Sequence, residues 1–183
     1  HILTFEADRS SDLLAIKPDV DRRTKDGKAA YAAWEATMTP SKTAVGPDEF
    51  AVGQAVAEAV QRHGEARALL ALPGDSEVVA LWEMQGVQCK SKLDRLTARS
   101  STEDIIIELK TTQDASPAAF GRELVLYGYH LQAAMYRDAV GMVTGRQFSH
   151  RIIAVEKPGK KNNHTAHVAV YEIGERTLMI GLA

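Results

Sequence analysis

Apolar and polar residues change rhythm along the chain, and each change marks an element. Residues 1–20 mix the two kinds without a clean period and end near Pro18. From Ala29 to Ala36 the chain is rich in alanine, with Tyr31 and Trp34 three apart, which fits one face of a short helix. Asp48 is placed to cap a helix whose apolar positions Phe50, Val52, Ala55, Val56, Ala59 and Val60 keep helical spacing. His63-Gly64 is expected to close it, with Gly64 as the C-terminal cap. A further short helix spans about Ala66 to Leu72 and stops before Pro73-Gly74.

The period then shortens. Glu77 to Trp82 reads as a strand, Gln85-Gly86 as a turn, and Val87 to Leu96 alternates as a second strand. Ser100-Ser101-Thr102 reads as a loop, and Asp104 to Lys110 as a third strand containing Ile105-Ile106-Ile107. These strands predict an antiparallel meander. Pro117 is suited to begin a helix, and Leu126 to Val140 predicts a longer one closed by Gly141. Phe148 to Val155 and His167 to Ile173 read as two late strands, with Lys157–Asn163 between them as an exposed basic loop. Helices, strands, helices and strands again imply an α/β sandwich around a mixed central sheet.

Composition narrows the function. The chain has 183 residues and is expected to form a single domain over 1–183. A net charge of −2 argues against a nucleic-acid binder held by bulk charge alone, leaving local clusters such as Arg22, Arg23 and Lys25 in the charged loop Asp21–Lys28. That loop reads equally well as a solvated turn. The lone cysteine, Cys89, excludes an intrachain disulfide and a cysteine-based zinc site. No apolar run is long enough to span a bilayer, and no signal peptide is visible, so a soluble protein of a reducing cytoplasm is expected. The chain opens on His1 rather than Met, so an upstream segment is expected to have been removed.

Charged residues at strand positions carry the chemistry. Glu77 opens the first strand, Asp94 stands near the end of the second, and Glu108 and Lys110 lie two apart on the third. Side chains at i and i+2 of a strand share a face, so Glu108 and Lys110 project together. An isolated Glu-x-Lys is most often a surface ion pair on an edge strand. Here it follows an isoleucine run, and Asp94 lies 14 residues upstream across a predicted hairpin, so the carboxylates can converge. With the Leu109 carbonyl they would make an oxygen-rich site suited to a hard divalent cation. An ammonium beside such a cation is costly unless it orients a nucleophile or stabilises phosphate charge. Gln132 and Tyr136, four apart on the following helix, share one of its faces.

The order Asp94, Glu108-Leu109-Lys110-Thr111-Thr112, then Gln132 and Tyr136 resembles the PD-(D/E)XK nuclease superfamily, and the Gln-x-x-x-Tyr spacing is similar to its RecB-type branch. More closely, stretches 18–28, 76–78, 89–96, 110–117 and 129–136 resemble the RecE-type phage recombination exonucleases. The resemblance implies a PD-(D/E)XK core, with Asp94, Glu108 and the Leu109 carbonyl holding Mg²⁺, for which Mn²⁺ would substitute. It implies that Lys110 is the catalytic lysine, that Glu77 and His1 approach the metal, and that Gln132 and Tyr136 flank the site. Thr111, Arg22, Arg23 and Lys25 are the candidate DNA contacts. Many relatives carry Asp where this chain has Glu108. The implied activity is 5′ to 3′ digestion of linear duplex ends by a homo-oligomeric ring, leaving 3′ strands for a single-strand annealing protein. The alternatives are an endonuclease or Cas4-like relative and an inactive DNA-binding module. Loss of Lys110, placed at a strand end, is expected to cost little stability.

Overall fold

A computed structural model of the chain describes residues 1–98, 103–159, 162 and 164–180. The predicted loop at 100–102 lies outside the described residues, as do Lys160, Lys161 and Asn163 of the predicted basic loop. The chain divides into two compact units, His1–Glu58 and Ala59–Ala183.

The first unit begins with α1 (Ile2–Phe5), a 3₁₀ turn (Ala7–Arg9) and α2 (Ser10–Leu13). Strand β1 (Leu14–Ile16) pairs in parallel with β2 (Thr43–Val45). Three-residue strands are too short to show alternation, so this small sheet leaves no mark in the sequence. Between them runs α3 (Lys25–Glu35), whose N-cap Thr24 accepts the Gly27 N–H through its hydroxyl. Half of the charged stretch expected to be loop is therefore the first turn of a helix. Helix α4 (Pro47–Arg62) starts one residue ahead of the predicted Asp48 cap. Glu49 reaches back to accept the Gly46 N–H at 2.7 Å, and Asp48 joins it in the acidic first turn, where the helix dipole favours negative charge.

In the second unit, His63 and Gly64 do not close α4 in the way expected. His63 is the N-cap of α5 (Gly64–Leu70), its Nδ1 accepting the Ala66 N–H at 3.2 Å, so Gly64 starts a helix instead of ending one. The sheet follows: β3 (Gly74–Met84), β4 (Val87–Ala98), β5 (Glu103–Thr112), then α6 (Pro117–Leu126), α7 (Tyr129–Thr144), β6 (Gln147–Glu156), β7 (Val168–Glu172) and α8 (Glu175–Ile180). The spatial order is β3-β4-β5-β6-β7, with β5 and β6 parallel and the other pairs antiparallel. The predicted meander and mixed sheet are both present. Gln85 and Gly86, at φ 51° and 79°, form the two-residue turn that joins β3 to β4. Gly74 permits β4 to pass close by, since a Cβ there would sit 2.3 Å from the Leu96 carbonyl oxygen.

Strand β5 is central, which explains its unbroken run: Ile105, Ile106 and Ile107 are all buried because both faces are covered. Helix α7 packs on one face, where Ala139 and Val140 meet Ile106, Leu93 and Phe148. The helical stretch expected from Leu126 to Val140 is two helices. Gly128 takes a left-handed φ of 67° and breaks it, and α7 then runs through Gly141 to a second left-handed residue, Gly145. The buried face carried by Ala139 and Val140 outweighs the modest cost of a glycine in the helix interior.

Candidate active site

Three carboxylates lie on one row across the sheet. The β3–β4 register pairs Ser76 with Arg95 and Val78 with Leu93, which sets Glu77 opposite Asp94. The β4–β5 register pairs Arg95 with Ile107 and runs no further, which sets Asp94 opposite Glu108. The ladder is interrupted along this row. Glu77 holds a left-handed φ of 58°, rare for a residue with a side chain and a conformation that stores strain. Leu93 and Leu96 pack into the same apolar cluster although three apart, so β4 bends at Asp94 instead of alternating through it.

Carboxylates take over the hydrogen bonds that the ladder gives up. The Leu109 N–H donates to Asp94 Oδ2 at 2.8 Å, and the Asp94 N–H donates to Glu108 Oε1 at 3.2 Å. In an extended strand the N–H and C=O of one residue point to the same side, so the Leu109 carbonyl also faces the opening. Glu77 and Asp94 each offer a carboxylate oxygen within 4.8 Å of the other's, and Glu77 is ion-paired to Lys92.

Glu108 is 2% exposed. Burial, and then the neighbouring Asp94 charge, hold its carboxyl above the usual carboxylate range, while Lys110 pulls the other way. Lys110 Nζ donates to Glu108 Oε2 at 3.0 Å and to Gln132 Oε1 at 2.8 Å, and lies 5.0 Å from the centre of the Tyr129 ring. Gln132 Nε2 donates in turn to the Tyr136 hydroxyl at 2.9 Å. Burial, followed by the Glu108 charge, raises the Tyr136 hydroxyl above its ordinary pKa. The ammonium is thus held from three sides on a central strand. The reading of Glu108 and Lys110 as an exposed edge pair does not apply, and neither does the expectation that losing Lys110 costs little. Removing one member of a buried pair leaves the other uncompensated.

The structure brings Asp94, Glu108, Lys110, Gln132 and Tyr136 together, with Glu77 across the row. It does not bring Thr111 to them, because strand alternation turns that exposed side chain to the opposite face. The first unit holds His1, Arg22, Arg23 and Lys25. His1 precedes α1 with its ring edge-on to Phe5, Arg23 forms a two-point bond to Asp21, and Arg22 lies 3.9 Å over the Tyr31 ring. His150 escaped the sequence reading. It is 1% exposed on β6, two residues from Phe148 and from Ile152, and so on the face that carries Glu108. Its pKa falls to about 3, through burial and then the Lys110 charge. The available signal was a histidine at an inward position of a predicted strand, midway between Phe148 and Ile152.

Residues 18–182 match the family model of the PDDEXK-like domain of unknown function, DUF3799. The chain belongs to this family. The PDDEXK-like domain also shares its fold with a solved protein of Eubacterium rectale named "Putative exonuclease". The TM-score is 0.55 at 14% identity, over 85% of this chain and 57% of that one. It therefore spans little more than half of that protein's length. The solved structure of SSO0001 is less similar, with a TM-score of 0.38 and 18% identity over 60% of this chain and 48% of that one. No curated protein matches the sequence. The family model makes the chain a PDDEXK-like domain, and the shared fold agrees with it. Among the described residues, no helix is long and apolar enough to cross a membrane.

Proposed function

We propose that this PDDEXK-like domain is a divalent-metal-dependent DNA exonuclease of the RecE type, acting on linear duplex ends. The observation that carries the reading is the row of Glu77, Asp94 and Glu108 at an interrupted ladder, with an ammonium held beside it. The donors suit a hard cation, since all are oxygens, and a positive charge brought to the row would offset the burial that raises the Glu108 carboxyl. Asp94, Glu108 and the Leu109 carbonyl would hold Mg²⁺ or Mn²⁺, with Glu77 at the margin. When bound, the cation supplies the charge that polarises a phosphodiester. Lys110, fixed by Glu108, Gln132 and Tyr129, is aimed to orient the attacking water and to stabilise charge on the phosphate oxygens. Tyr136 holds Gln132 in place. The roles of His1 as a further ligand and of Arg22, Arg23, Lys25 and Thr111 as DNA contacts rest on the sequence alone. So do 5′ to 3′ polarity, a ring assembly and a single-strand annealing partner.

Digestion of linear duplex but not of closed circular DNA, in Mg²⁺ or Mn²⁺ and abolished by chelator, is the expected result. Cutting of closed circles would favour the endonuclease reading. Undiminished hydrolysis in chelator would remove the metal from the mechanism.

A further inference from the structure

A column of aromatic rings runs from the core to solvent beside Lys110. Tyr171, its hydroxyl donating to the Ala115 carbonyl at 2.6 Å, stacks on buried Phe120 at 5.0 Å and 12° between planes. Phe120 stacks on Tyr129 at 6.2 Å and 30°. Tyr129 faces Lys110 Nζ on one hand and Tyr127 on the other, at 5.7 Å between ring centres. Tyr127 is 61% exposed and is joined to Tyr129 by the left-handed Gly128. Val125 and Leu126 before it are 66% and 75% exposed.

Val125, Leu126 and Tyr127 in a row make an exposed patch of the kind that a partner covers. Its position states which. Tyr129, the third ring of the column, faces the ammonium assigned to the scissile phosphate, so Tyr127, the next ring outward, lies where a nucleotide neighbouring that phosphate would present its base. Every base has a π face, and an aromatic ring braced from beneath receives it at little entropic cost.

We propose that Tyr127, supported by Tyr129 and Phe120, is a stacking platform for a nucleobase flanking the phosphate that is cut. This rests on the nuclease reading above and adds to it a sequence-tolerant binding subsite. Tyr127 is a positioning residue, because it touches the substrate away from the reacting atoms.

The test compares the parent protein with Tyr127→Ala and Tyr127→Phe on linear duplexes of equal length whose terminal nucleotides are either ordinary or abasic. With ordinary ends, Tyr127→Ala should raise KM about tenfold, within the range of base–aromatic stacking, and leave kcat within about twofold. Tyr127→Phe should match the parent. Abasic ends should cost the parent the same factor and cost Tyr127→Ala nothing more. Should Tyr127→Ala treat all substrates as the parent does, the platform is refuted while the nuclease reading stands, and the patch belongs to a protein partner. Should the parent cut no DNA with any divalent cation, the nuclease reading fails, and fluorescein-labelled oligothymidylate in chelator decides the platform separately. Binding about tenfold weaker by Tyr127→Ala supports it, and equal binding refutes it.

Discussion

His150 offers a prediction whose size can be worked from the structure. Its imidazole is buried beneath α7 with Lys110 and Arg151 as cationic neighbours and Asp94 as the opposing charge, and its pKa falls from 6.5 to about 3. The native state therefore keeps His150 neutral where the unfolded chain protonates it. Above about pH 6.5 both states hold the same proton count and the full contribution to stability is present. As pH falls below that value the unfolded chain binds one more proton, and stability is lost at about 1.4 kcal/mol per pH unit until the native pKa is reached. The gap between 6.5 and about 3 caps the effect on the order of 4–5 kcal/mol. Between pH 6 and pH 4 the loss is about 3 kcal/mol, a large share of the stability of a small domain. Glu108 works in the opposite sense, because its raised pKa makes the native state take up a proton first. The clean quantity is thus the difference between the parent and His150→Leu, in chelator, with Trp34→Phe in both so that buried Trp82 reports the second unit. Urea titrations at pH 7, 6, 5 and 4 should give a difference that grows towards acid with the slope above. Parallel curves would show that the native state does not hold His150 neutral.

Other expectations follow from the same geometry. Lys110→Met should abolish cleavage, retain Mn²⁺ binding by calorimetry and lower stability by about 3 kcal/mol or more in chelator, since Glu108 loses its buried partner. If Lys110→Met cuts DNA near the parent rate, the lysine is structural. Glu108→Gln should abolish Mn²⁺ binding and lower the metal-free melting temperature at pH 7, because Lys110 keeps its charge and loses its carboxylate partner, an effect partly offset by relief of a carboxylate that burial disfavours. A higher melting temperature would mean that burying the carboxylate costs more than its pair with Lys110 returns. Neutralising Arg22 and Arg23 together should reduce the salt dependence of DNA binding by roughly one unit of log–log slope per lost phosphate contact. An unchanged slope would leave them to their contacts with Tyr31 and Asp21.

The sequence disclosed most of the sheet and the line of the site, for definite reasons. Three consecutive isoleucines can only be covered on both faces, which made β5 central, and a Glu-x-Lys on such a strand must project both groups to one side. Asp94 was legible because a hairpin brings residues of matching register together. What stayed hidden depends on backbone angles and distant packing that residue type does not encode. A left-handed glutamate at position 77 has no compositional mark. Gly128 and Gly141 look alike in sequence, yet Gly128 takes a left-handed φ and breaks a helix while Gly141 lies inside one. Thr111 follows Lys110 directly, but strand alternation turns its side chain to the opposite face. His63-Gly64 read as an ending because the histidine's capacity to cap the next helix depends on a second helix starting at once.

The side-chain bonds that replace the β4–β5 ladder make two amides unusual reporters. The protons on Leu109 and Asp94 are shielded from solvent by carboxylate oxygens, not by carbonyls of a neighbouring strand. A cation arriving at those oxygens competes with the same lone pairs. Hydrogen-exchange rates and nitrogen-15 shifts of these two amides should therefore change on metal binding, while Ile106 and Ile153, deep in the sheet, keep theirs. The strand fork that builds the site is also a gauge of its occupancy, readable without any substrate.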